Sequence, residues 1–242
     1  MSNRRQITYE AVFEGLKKAL EERGLNLAVE AFLMDYEPAA WNAVKVKFGI
    51  QPHGCAFHWA QAVQKNTQKS GVELAAENDR VLFDHVQQLK QFQFLSATHI
   101  RDAFSRFKAM YANHPADHVM NNLLVYFEQT WILSSVHPPE TWSQYGVTIR
   151  TNNGIEGWHM TMNKIFGRRP HLYTFIRGVA SNAQSYRDDI AANDFHRPCR
   201  PKQAKRDERL KLLQQQYGNK LLAVSKYLLE CSKVYNPKKF GC

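Results

Sequence analysis

Five residues of this chain combine a reactive type with a suggestive position: Asp35, Cys55, His58, Glu156 and His159. Asp35 ends the short apolar run LNLAVEAFLMD, and an acid at the carboxyl end of a strand in an open α/β sheet faces the crevice where ligands bind. It also sits just ahead of a helix opening at Pro38, so a helix cap is the competing role. Glu37 beside it reads as a first-turn acid favoured by the helix dipole. Glu156 follows Asn152, Asn153 and Gly154 at the mouth of another helix. Dipole compensation under an asparagine cap accounts for that placement but not for the Trp158-His159 pair after it. His159, three residues from Glu156, can share a surface with it. Cys55-x-x-His58 has the residue types of a soft-metal site, but structural zinc takes four ligands and the chain offers no second pair at comparable spacing. The pair is therefore expected to pack or hydrogen-bond at a strand-to-helix junction. No nucleophile elbow, phosphate-binding glycine loop or dinucleotide fingerprint is present, which removes the hydrolase, nucleotidase and dehydrogenase readings that rest on them.

These residues need elements to hold them. Val12, Phe13, Leu16 and Leu20 fall at helical spacing over 7–23, with Gly24 as the stop. The apolar run ending at Asp35 predicts a buried strand. Pro38 opens a second helix through Trp41, Val44 and Phe48, closed by Gly49. HGCAFH predicts a second strand and 59–69 a third helix, an alternating α/β order. From 72 to 142 the apolar spacing is helical throughout, punctuated at Asn113-His114-Pro115 and His137-Pro138-Pro139. Helices are then expected through Ile155, Trp158, Met162 and Ile165, over 171–190, and as a charged pair over 203–233. The fold class is α/β and predominantly helical.

The 242 residues, 44% hydrophobic and 12% aromatic, suffice for a core. No run approaches the roughly 18 apolar residues of a membrane span, and the polar start MSNRRQITYE has no signal-peptide core, so no membrane partner and an intracellular, soluble setting are expected. Cys55, Cys199, Cys231 and Cys242 are too sparse for a disulfide framework and read as thiols. Residues 197–242 hold 12 Lys and Arg against 3 Asp and Glu, and so carry nine of the ten net positive charges. Such a segment suits a polyanion through counterion release; a solubilising tail is the plain alternative.

Taken in order, AFLMDYEPAAWNAVKVKFG, HGCAFHWAQAVQKN, a long helical insertion and RTNNGIEGWHMTMNKIF resemble the transposase domain of Mutator-like elements, across about Tyr9 to Arg187. The resemblance implies an RNase H-like core whose first strands are missing (1–71), an all-helical insertion (72–150), the last catalytic helix and a core helix (151–195), and a basic helical extension (196–242). It also implies DDE-type chemistry, in which Asp, Asp and Glu hold Mg²⁺ or Mn²⁺ for DNA cleavage and strand transfer. Asp35 matches the second acid and Glu156 the third, as catalytic and metal-ligating residues. Cys55, His58 and His159 match the supporting motifs. Two metals roughly 3.5–4 Å apart clamp the attacking and leaving oxygens in such a reaction. Residues 1–34 contain no aspartate, and Glu30 lies within the strand leading to Asp35, so the first acid is expected to be absent, the metal weakly held at best and the chain inactive. DNA is the implied partner, the nucleus the implied location, and a homo-oligomer an allowed state. Two alternatives stay open: a domesticated, non-catalytic DNA-binding or protein-interaction module, and an unrelated helical scaffold.

Overall fold

The structure, a computed structural model, describes residues 5–25, 28–112, 117–151, 153–167, 170–192 and 201–235. The described residues are predominantly helical, with one two-stranded parallel sheet. The chain divides into two compact units, residues 1–151 with 208–242, and residues 152–207.

The first unit opens with α1 (Gln6–Glu21), β1 (Leu33–Met34), α2 (Pro38–Phe48), β2 (His53–Gly54) and α3 (Ala56–Lys69). Pro38 starts α2 because its fixed φ suits the first helical turn, and Gly49, at φ 65°, ends it in the left-handed region. A parallel pair needs such a crossover, and α2 supplies it between β1 and β2. The strand expected over the apolar run is shorter than predicted. His53 N donates to Phe32 O (2.8 Å) and Cys55 N to Met34 O (2.9 Å), after which Cys55 turns directly into α3. With β2 only two residues long, the ladder pairs two residues of the run. For the same reason α3 begins at Ala56, three residues before its expected start. The established architecture is thus helical with a small parallel sheet, a coarser description than the RNase H-like core implied above. Helix α1 lies on α2 through Phe13, whose ring is 5.4 Å from that of Phe48 and 6.2 Å from that of Phe32.

The stretch expected to be helical without strands is so throughout its described residues: α4 (Val72–Ala75), α5 (Arg80–Leu89), a 3₁₀ turn at Phe92–Phe94, α6 (Ala97–Ala109), α7 (Asp117–Phe127) and α8 (Pro139–Trp142). Asp79 caps α5, accepting from the Val81 and Leu82 amides at 2.9 and 3.0 Å. Pro138 and Pro139 open α8, as the punctuation predicts; Asn113-His114-Pro115 lies outside the described residues. Helix α7 widens into a π turn at Glu128–Ile132, which carries Trp131 into the core. There Trp59 stacks on Trp142 at 5.3 Å and meets Phe127 and Trp131, each at 5.9 Å.

Helices α11 (Pro201–Gly218) and α12 (Val224–Tyr235) carry much of the basic segment. Leu210, Leu213, Tyr227, Leu228 and Cys231 join the core, and the Tyr227 hydroxyl donates to Phe94 O at 2.8 Å. This end of the chain is therefore anchored by its apolar positions while Lys205, Arg209, Lys211, Lys220, Lys226 and Lys233 stay exposed. Of the four cysteines, Cys55 and Cys231 are buried; Cys199 and Cys242 lie outside the described residues.

The second unit contains α9 (Asn153–Phe166) and α10 (Leu172–Ala191), over the ranges the apolar spacing predicts. Trp158 Nε1 donates to Asn182 Oδ1 at 2.7 Å, and the Phe166 and Phe175 rings meet at 5.1 Å, so α9 is tied to α10 within its first half and at its last residue. Ile155, Met160, Ile165, Leu172, Phe175 and Ile176 nevertheless stay exposed. No described helix is long and apolar enough to cross a membrane.

Candidate functional site

Asp35 follows β1 at its carboxyl end, with more than half of its side chain exposed. Two donors hold its backbone carbonyl: Trp41 Nε1 at 2.6 Å and the Glu37 amide at 2.9 Å. Glu37, and not Asp35, occupies the cap position of α2. His58 projects from the first turn of α3, and its Nδ1 lies 2.9 Å from Asp35 Oδ1. The adjacency follows from the β1–α2–β2 order, since parallel pairing puts the end of β1 beside the β2–α3 junction. Cys55 sits at that junction as the residue preceding α3, fully buried, and its amide completes the pairing with Met34. The Ala56 amide in turn donates to Arg150 O at 2.8 Å, fastening the start of α3 to the end of the helical block.

Sequence reasoning passed over the ring cluster beneath this edge. Tyr36 stacks on Trp41 at 5.7 Å and meets Trp131 and His137 edge-on at 4.9 and 5.2 Å, while Trp41 meets His137 at 4.4 Å. The Tyr36 hydroxyl and both His137 ring nitrogens are buried and meet no hydrogen-bond partner among the described residues. Burial pushes the Tyr36 phenol well above its ordinary range, and the nearby Cys55 adds to this. Burial, with Lys45 as a lesser cause, pulls His137 down to about 4, so the imidazole is neutral at pH 7. His53 is likewise lowered by burial, against which a hydrogen bond with Gln144 works. Tyr36 abuts the motif acid and was the one signal available; His137 read only as part of a proline-rich break.

Glu156 occupies the first turn of α9 and His159 the next turn, exposed, in the second unit. Trp158 between them is engaged by Asn182, and its ring lies 5.4 Å from that of His159. Asn152 lies outside the described residues, and Asn153 begins α9. Among the described residues no three His, Cys, Asp or Glu side chains gather as a metal-holding group. Asp35 with His58 offers one hard oxygen donor and one nitrogen donor, too few for the oxygen-rich shell that Mg²⁺ or Mn²⁺ prefers. The pair as it stands can position a polar or charged group at the sheet edge; it does not by itself fit the metal. Comparison with known protein families, curated proteins and solved structures finds no match to this chain.

Proposed function

We propose that this chain is a degenerate transposase core of the Mutator-like kind, a DNA-binding protein whose ancestral reaction was metal-dependent cleavage and strand transfer in the nucleus. The observation that carries the reading is the Asp35–His58 contact. The motif acid and the histidine of Cys-x-x-His, 23 positions apart in sequence, stand 2.9 Å apart at one edge of a parallel pair. Exposed lysines on α11 and α12, with Arg209 on α11, support the DNA-binding half. Asp35 and Glu156 match two of the three acids in this reading, and residues 1–34 contain no aspartate.

Incubating purified protein with terminal-repeat DNA and Mn²⁺ tests this. Expected are salt-sensitive binding and no strand breaks, because metal-assisted displacement requires both the attacking and the leaving oxygen to be stabilised. Strand breaks that vanish in both Asp35→Ala and Glu156→Ala would overturn the inactive assignment. Salt-insensitive binding would count against the basic segment as the DNA contact.

A second reading, a domesticated protein-interaction module, is favoured by the apolar side chains that α9 and α10 leave exposed. It predicts that Ile176→Lys abolishes any concentration-dependent self-association seen by light scattering; association that survives the change would remove its basis.

A further inference from the structure

The first unit holds a cleft of about 480 Å³, lined by α6 and α12, that the transposase reading does not use. His99, Ala103 and Arg106 on α6 and Met110 at its end recur at steps of four, three and four, which sets them on one stripe. Val224 and Leu228, one turn apart on α12, line the cleft as well, and Phe92 and Phe107 are buried against it. The volume falls in the range of small-molecule sites, and the mainly apolar walls are of the kind such sites have.

One lining residue breaks the apolar pattern. Leu82, Val86 and Leu89 are buried apolar positions of α5, and Gln88 is buried beside them at 6% exposure. Its amide meets no hydrogen-bond partner among the described residues, and unlike Gln87 Oε1 it is not sealed away from the surface. What remains open of Gln88 is on the cleft. A largely buried amide without a partner loses its hydration uncompensated, a cost that an apolar side chain at this position would avoid. A molecule in the cleft can use that amide as donor and as acceptor.

The other polar groups at the cleft are engaged with one another. Arg106 Nη2 lies 3.1 Å from Asp102 Oδ2, and both side chains are exposed, so the pair is a weak trap for an anion. His99 Nδ1 and the Tyr217 hydroxyl lie 2.8 Å apart, and the Tyr217 ring stacks on that of Tyr227 at 4.5 Å. The chemistry on offer is therefore an apolar lining with one neutral amide.

We propose that this cleft binds a neutral, ring-sized apolar molecule with one hydrogen-bonding group such as a hydroxyl, which bonds the Gln88 amide while the apolar body lies against Phe92, Phe107 and Leu228. The assignment stands apart from the transposase reading.

The whole chain is titrated with 1-naphthol, with naphthalene, which has the same rings and no hydroxyl, and with 2-naphthoate, which carries a charge. Calorimetry gives the affinities, and the Met110 methyl and Gln88 side-chain amide signals in NMR give the place. Expected is 1-naphthol binding about tenfold tighter than naphthalene, although naphthalene is the more apolar, with both signals shifting. In Gln88→Leu that preference should vanish while thermal melting stays at or above that of the unchanged chain, because the amide has no protein partner to lose. A variant that no longer folds would show that the amide serves the protein itself, and would overturn the proposal. So would the absence of 1-naphthol binding at millimolar concentration, or a Met110 methyl signal unmoved at saturation. Naphthalene or 2-naphthoate binding as tightly as 1-naphthol, or a preference for 1-naphthol retained in folded Gln88→Leu, would do the same.

Discussion

His58 Nδ1 lies 2.9 Å from Asp35 Oδ1, joining the end of β1 to the first turn of α3. The Asp35 side chain is 56% exposed, and pairs of that kind contribute about 0–1 kcal/mol to stability. Asp35→Ala is therefore expected to leave the urea midpoint nearly unchanged, a shift equivalent to less than about 1 kcal/mol. A much larger loss would mean that the acid is a structural anchor, and the variant would then be a poor probe of function.

Gly54 is where β2 ends, and a Cβ there would collide with the Tyr36 ring. Gly54→Ala should cost about 1–3 kcal/mol through overpacking. In a double-mutant cycle with Tyr36→Leu, chemical denaturation should show a combined loss smaller than the sum of the two single losses. Strict additivity would show that the ring does not set the requirement for glycine.

Much of this arrangement was legible beforehand. Pro38 and Gly49 bracket α2 because one pre-sets the first helical φ and the other tolerates the left-handed stop, both properties of single residues. The helical stretch from Val72 to Trp142 was equally legible from its apolar spacing. The extent of β1 was not. Apolar runs do not reveal how many residues the partner strand can pair, and here Cys55 leaves the ladder after two. Asp35 and His58 stood out by type and motif, but their contact depends on a parallel register between two-residue strands. His137 stayed hidden because its role comes from being packed against Tyr36 and Trp41, about a hundred positions away in sequence.

His137 also gives stability a pH dependence. Its native value is near 4, below the ordinary histidine value of about 6.5, so between those values the unfolded chain binds the extra proton. The stabilisation is fully present above about pH 6.5 and is lost as pH falls toward 4, by up to about 3 kcal/mol. Burial of His53 acts in the same direction. Urea midpoints measured at pH 7.5 and 5 should fall on acidification, and His137→Phe, which keeps an aromatic ring against Tyr36 and Trp41, should flatten the difference. An unchanged pH dependence in that variant would assign it to other groups.

The Mutator-like reading requires that the Asp35 and Glu156 carboxylates serve one site, although they belong to different units and 120 residues separate them. The direct measurement is their separation in crystals of the chain grown with Mn²⁺. The account predicts carboxylates within about 10 Å of each other, close enough to share a metal site. A separation clearly beyond that, in a well-ordered crystal of the folded chain, would contradict the assignment of at least one of the two acids.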